Sequence, residues 1–141
     1  MRCCRPERKG LRGYVSSRGF GGFFIPVPLQ SLALRDYCTR KSKVYVLPVN
    51  ENSFPHSYMV LEGMIQELSA FEGVIMYTMH MLPERPERRR RVYQRILEQG
   101  CTLHLVLEDY VVAAERDIAR LEDMVVFARM AAQAPAITRL D

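Results

Sequence analysis

The sequence predicts one three-layer α/β domain, a four-stranded parallel sheet in the order 2-1-3-4 with helices on both faces. Three observations carry that expectation. Short β-prone runs alternate with helical periodicity four times, and the connections between them are short, the pattern of strand–helix–strand units that feed a parallel sheet. The third run, Gly73-Val74-Ile75-Met76-Tyr77, has no polar face, which suits a strand covered on both sides. The first run ends in a stretch carrying Gly19, Gly21 and Gly22. Glycine there lets backbone N–H groups approach an anion, which is how many α/β folds open a ligand site.

Taken in order, Gly13-Tyr14-Val15-Ser16-Ser17 reads as the first strand, and its glycine loop does not follow the GxGxxG spacing of a dinucleotide site. Pro26 and Pro28 set up a helix in which Leu29, Leu32, Ala33 and Tyr37 recur at helical spacing as far as about Arg40. Lys43 to Val49 is the second strand, ending in the polar loop Asn50-Glu51-Asn52-Ser53. Ser57 is the expected N-cap of a second helix whose apolar stripe is Met59, Val60, Gly63, Met64, Ile65 and Leu68.

Leu82-Pro83-Glu84 turns the chain after the third strand, and Pro86 to Gln99 reads as a third helix stopped by Gly100. Cys101 to Leu107 is the fourth strand, running into Glu108-Asp109. The last helix, about Ala113 to Ala132, carries Ile118, Leu121, Val125 and Met130 on its apolar side.

With 141 residues the chain has room for one core and not for two. Residues 1–12 read as a basic disordered tail, 13–134 as the domain and 135–141 as a C-terminal tail. No run of eighteen apolar residues exists and no apolar h-region follows the basic start, so neither membrane insertion nor secretion is expected. Cys38 and Cys101 fall in apolar segments and read as buried free thiols, and Cys3 and Cys4 are adjacent. No CxxC occurs, and His56, His80 and His104 are far apart. Neither a metal site nor a cofactor is therefore expected, and a reducing, cytoplasmic setting is.

The formal net charge of +4 and a pI of about 9.0 raise the question of nucleic acid. The excess sits in two places, the tail and the stretch Arg85 with Arg88 to Arg91, which alternates with Glu84 and Glu87 as a solvated helix face would. Nucleic acid is accordingly set aside as the expected partner.

Ligands of open parallel sheets collect beyond the carboxyl ends of the strands. Those ends offer Ser16, Ser17 and Arg18, then Asn50 and Glu51, then Thr78, His80 and Glu84, then Glu108 and Asp109, with Tyr58 and Glu62 opening the second helix. Hydroxyls, a guanidinium and carboxylates together suit a polyhydroxylated or phosphorylated small molecule. Glu84, Glu51 and Ser17 are the candidate catalytic groups. Ser16, Ser17, Arg18, Asn50, Tyr58, Glu62 and Glu108 are the candidate substrate-binding ones. Each also has a plain structural reading, as a strand or helix cap or as a solvated loop residue.

Two resemblances bear on this. Arg12-Gly13-Tyr14-Val15-Ser16-Ser17-Arg18, Ile25-Pro26, Leu34-Arg35-Asp36-Tyr37-Cys38, Ser57 to Glu62 and Leu82-Pro83-Glu84 resemble a small bacterial family, the sporadic carbohydrate cluster proteins, over about residues 11 to 125. That likeness implies a part in making surface polysaccharide such as O-antigen or capsule, and it carries no reaction. Over residues 13 to 110 the order of elements also resembles the catalytic domain of serine recombinases, the resolvase group, whose fold is flavodoxin-like in outline. There the pattern Tyr-x-Arg-x-Ser would need arginine at Ser16 and the nucleophile at Arg18, and the Asp-Arg pair after the third strand falls near Pro83-Glu84. No DNA-binding domain is expected downstream. This second resemblance supports the fold and counts against recombination.

The expectation is therefore a protein of surface-carbohydrate biosynthesis, binding or acting on a sugar, sugar phosphate or nucleotide sugar. Two alternatives remain: a recombinase-like DNA-associated module using Arg85 and Arg88 to Arg91, and a non-catalytic subunit that forms a homodimer or docks on a carbohydrate-cluster enzyme through Val125, Val126, Phe127 and Met130.

Overall fold

Strand β1 (Leu11–Ser16) lies near the middle of the sheet and alternates its side chains between two cores, as the period of two in an extended chain requires. Leu11 and Val15 face one helical layer, while Tyr14 faces the other. The computed structural model describes residues 8–20, 22, 24–51, 54 and 56–133. Arg2, Arg5, Cys3 and Cys4 of the expected tail, the expected C-terminal tail 135–141, Gly21, Asn52 and Ser53 lie outside the described residues. The Arg8 guanidinium already donates to the carbonyls of Gln99 and Gly100, and β1 begins two residues before the strand expected at Gly13.

Helix α1 (Val27–Arg40) starts where Pro26 and Pro28 preset the backbone and covers the Leu11–Val15 face. Its buried side is Gln30, Leu34, Tyr37 and Cys38. Leu29 and Leu32, part of the expected stripe, are exposed. Tyr37 of that stripe is buried as expected, and Leu34 and Cys38 join it in the core in place of Leu29 and Leu32. Strand β2 (Tyr45–Glu51) pairs parallel with β1 at the sheet's edge.

Helix α2 (Met59–Gln66) and a 3-10 turn (Leu68–Ala70) pack on the other face through Leu61, Ile65 and Leu68. Met59 and Gly63 of the expected stripe point outward. Strand β3 (Gly73–Met76) is buried along its whole length, as its composition predicts. Gly73 is obligatory there, because a Cβ would run into the carbonyl of Thr102 on the neighbouring strand. A 3-10 turn (Met79–Met81) leads to α3 (Pro86–Glu98), whose Val92, Tyr93 and Ile96 join the same core.

Strand β4 (Thr102–Leu105) is two residues shorter than expected at its carboxyl end. The chain turns through Asp109, whose φ of 51° lies in the left-handed region, and returns as β5 (Tyr110–Val112) antiparallel to β4. The sheet thus has five strands in the order β2-β1-β3-β4-β5, the expected order with one strand added. A three-residue return strand leaves almost no periodic signal, which is why its residues read as the approach to a helix. Asp117 then caps α4 (Glu115–Gln133), accepting from the backbone N–H of Ala113 and Ala114. Ile118, Leu121 and Val125 reach the core, whereas Val126, Phe127 and Met130 are exposed.

Two buried polar clusters tie neighbouring elements together, the first across layers and the second within one. His104 on β4 shares hydrogen bonds with the Tyr37 hydroxyl (2.8 Å) and the Thr102 hydroxyl (2.9 Å). Burial, helped by Lys43 and Lys41, pushes its imidazole down to about 4, so it is neutral. Between α3 and α4, Arg89 forms a two-pronged pair with Glu122 at 2.7 and 2.6 Å, and the Tyr93 hydroxyl donates to the same carboxylate at 2.6 Å. No described helix is long and apolar enough to cross a membrane.

Candidate functional site

Because β2 lies on one side of β1 and β3 on the other, the chain reverses its winding between β1 and β3, and their carboxyl ends splay apart into a crevice. A cavity of about 280 Å3 opens there. The segment after β1 supplies Ser16, Arg18, Gly19 and Phe20; the one after β2 supplies His56 and Tyr58; the one after β3 supplies His80, Met81 and Glu84.

The β1 end is rigid because Gln30, fully buried on α1, grips it. Its side chain accepts from the Ser16 N–H at 3.1 Å and donates to the Ser16 and Ile25 carbonyls at 2.7 Å each. The Ser16 hydroxyl, itself buried, accepts from the Arg18 N–H at 3.3 Å. Ser17 is exposed and is not among the residues that line the cavity. The Arg18 guanidinium donates to the Phe54 carbonyl at 2.9 Å and stands 4.9 Å from the centre of the Tyr58 ring. Arg88, from α3, stands over the same ring at 5.2 Å. Burial pushes the Tyr58 phenol up, against the pull of Arg18.

Several expected carboxylates turn out to be committed elsewhere. Glu51 is buried and accepts from the Tyr14 hydroxyl (2.9 Å), the Ser57 hydroxyl (3.3 Å) and the N–H groups of Val60 (3.1 Å) and Leu61 (3.0 Å). It satisfies the first amides of α2 from outside the helix, the task expected of Ser57. Burial, and the Glu51 carboxylate beside it, push the Tyr14 phenol up. Glu108 accepts from the Thr78 hydroxyl (2.6 Å) and the Met79 N–H (3.1 Å), so it pins the turn after β3. Glu62 holds Arg88 through two hydrogen bonds, at 2.6 and 3.0 Å, and that contact keeps its carboxyl below the usual range. Glu84 alone among the expected carboxylates lines the cavity, exposed and 3.9 Å from His56 Nδ1. Asn50 is exposed at the end of β2 and does not line it.

Beside the cavity runs a second concavity, about 430 Å3, between α2 and α3. Arg88, Arg91 and Arg95 line it at helical spacing, facing Glu62, Ile65 and Gln66. Arg95 donates to the Gln66 side chain at 3.1 Å. The arginines of α3 therefore do not form one solvated face. Arg89 turns inward to Glu122, with further donations to the carbonyls of Pro83 and Glu84, while Arg88, Arg91 and Arg95 line the groove, Arg88 paired with Glu62 and Arg95 with Glu98 at 3.4 Å. That division is legible in the i, i+3, i+7 spacing, which a count of charges conceals. Gln30 and Phe20 carried no sequence signal. Among the described residues no three His, Cys, Asp or Glu side chains gather as metal ligands would.

No protein-family model matches the chain, and none of the curated proteins matches it. Solved structures do resemble it. The N-terminal catalytic domain of TP901-1 integrase superposes with a TM-score of 0.56 at 14% identity, covering 86% of this chain and 97% of that one. A resolvase family site-specific recombinase from Streptococcus pneumoniae superposes with a TM-score of 0.60 at 10% identity, covering 87% and 91%. The fold is thus resolvase-like. These likenesses correct the expectation of a carbohydrate-biosynthesis protein with a sugar, sugar phosphate or nucleotide sugar as its partner: the neighbours are recombinase domains and nothing connects the chain to the carbohydrate cluster family. Setting nucleic acid aside is corrected with it.

Proposed function

We propose that the domain is a nucleic-acid-associated module of recombinase fold that holds a phosphate backbone along the groove between α2 and α3. The observation that carries the reading is the row Arg88, Arg91 and Arg95 on one wall of that groove, three guanidiniums against the two carboxylates of Glu62 and Glu98. Glu62 pairs with Arg88 and Glu98 with Arg95, which leaves the wall one positive charge in excess, and guanidiniums are well shaped for phosphate oxygens. The Tyr58 ring joins this wall to Arg18, since both Arg88 and Arg18 stack on it, and so a basic path leads from the groove to the strand-end crevice. The neighbours named above as an integrase and a site-specific recombinase support the same class of partner by analogy of fold.

The reading is one of binding without strand cleavage. Mapped onto this chain, the Tyr-x-Arg-x-Ser pattern meets Ser16 and Arg18 in the wrong order, and the Ser16 hydroxyl is buried against the Arg18 N–H. Titration of a labelled oligonucleotide across a range of salt tests the proposal. Each phosphate that is neutralised releases counterions, so affinity falls steeply with salt. Exchanging Arg91 and Arg95 for alanine should flatten the slope of log K against log salt by about 1.4 for a single strand and about 1.8 for a duplex. A slope that the double variant leaves unchanged, or no binding at low salt, would overturn it.

A further inference from the structure

We infer that the strand-end rim takes unpaired nucleotides, their bases stacking on Phe54 and Phe24 while their phosphates lie along Arg18 and the α3 arginines. The inference rests on the nucleic-acid reading above and adds the form of the partner. Phe54 and Phe24 are 74% and 63% exposed. A lone exposed apolar side chain needs no explanation, but these two occupy particular places. Phe24 lies in the loop after β1, between Phe20, which lines the crevice, and Ile25, which packs on the core. Phe54 lies in the loop after β2, two residues before His56 of the crevice, and its carbonyl holds the Arg18 guanidinium at 2.9 Å. An aromatic ring presented to solvent is thus fastened, through its own backbone, to the cation at the end of the basic path.

That pairing is what single strands use. Every base offers a π-face, so stacking on an aromatic side chain is tolerant of sequence, while a cationic groove follows the backbone. A duplex keeps its bases inside the helix and has nothing to lay on Phe54 or Phe24. The excess of guanidinium along this path, Arg18, Arg88, Arg91 and Arg95 against Glu62 and Glu98, selects a polyanion over an apolar peptide as the occupant.

The test compares a labelled single-stranded 12-mer with the duplex of the same sequence by fluorescence anisotropy at one salt concentration, using the whole chain. The single strand should bind at least tenfold more tightly. Phe54→Ala should weaken the single strand by roughly tenfold, leave the duplex unchanged and leave the thermal midpoint unchanged, since the ring is exposed. The chain has no tryptophan, so Phe54→Trp supplies a unique reporter at the position. It should retain affinity, and its emission should be quenched by the single strand alone. Equal affinity for both forms with a neutral Phe54→Ala would overturn the inference and leave the phosphate-binding groove standing. Failure of either polymer to bind would overturn the nucleic-acid reading and the inference with it.

Discussion

Glu122→Gln tests the clamp that holds the crevice's third wall. Arg89 is 2% exposed and Glu122 16%, and the guanidinium spends its donors on the Glu122 carboxylate and on the carbonyls of Pro83 and Glu84. Glutamine keeps the shape but removes the countercharge and one acceptor, so the cation stays buried without compensation and the Tyr93 hydroxyl competes for the remaining oxygen. Breaking a buried pair from one side costs about 3–5 kcal/mol, and the partial exposure of Glu122 places this case near 3. For a domain of this size that is a fall in Tm of roughly 10 °C. Urea denaturation gives the free energy and calorimetry the midpoint. The double replacement Arg89→Met with Glu122→Leu should cost less than either single change, because no buried charge is then left unpaired. The pair also has a pH signature. Burial alone would push the Glu122 carboxyl up, but the hydrogen bonds from Arg89 and Tyr93 outweigh it and the net shift is downward. Its contribution is therefore present above the ordinary carboxylate range and is lost as pH falls below it, from about pH 5, and Glu122→Gln should lack that portion of the acid loss. A loss under 1 kcal/mol at pH 7 would refute the clamp.

His104 supplies a second pH dependence. Its pKa, about 4 in the fold against about 6.5 unfolded, means that the unfolded chain binds the extra proton between those values. Stability is full above pH 6.5 and falls by about 3 kcal/mol as pH drops to 4; His104→Gln should flatten that segment of a stability-versus-pH curve, and an unaltered curve would discount the buried neutral imidazole. Glu51→Ala removes the cap of α2 and leaves the Tyr14 hydroxyl without its acceptor, a loss of about 3 kcal/mol in urea denaturation. Nucleic-acid affinity of the folded variant should stay within twofold, since Glu51 does not reach the groove; a large drop in affinity with stability intact would return it to the site.

The parallel sheet was legible because its signals are local and strong: the apolar run Val74-Ile75-Met76 fits a strand buried on both faces, and the prolines at 26, 28 and 86 start helices. Helix faces were harder. In α1 the expected stripe of Leu29, Leu32, Ala33 and Tyr37 is right only at Tyr37, because Leu34 and Cys38 also fit a helical period and the sheet beneath decides which side is covered. Strand β5 was invisible because three residues carry no period and the left-handed turn rests on Asp109 rather than on glycine. Of the residues that strand-end position singles out, Ser16, Arg18, Tyr58, His80 and Glu84 line the crevice. It did not reveal that Glu51 and Glu108 face inward, because a carboxylate accepting backbone amides and one free for chemistry look alike in a sequence.

That difference underlies the class of partner proposed for the rim. A polyol is recognised by acceptors for its hydroxyls, and the expected acceptors here were carboxylates. Glu51 is spent on α2 and Tyr14, Glu108 on the turn after β3, and Glu62 on Arg88. Glu84 remains at the crevice, beside His56. The cations are disposed the other way. Only Arg89 of the α3 arginines described above is drawn inside, while Arg88, Arg91 and Arg95 line an open groove and Arg18 stands at its end, joined through Tyr58. Folding thus ties up the carboxylates at the strand ends, and along the groove, where Arg88 pairs with Glu62 and Arg95 with Glu98, it leaves one guanidinium in excess. The proposed partner rests on that balance: with the rim's carboxylates taken up internally, a phosphate-bearing partner is a better match to the guanidiniums than a polyol is.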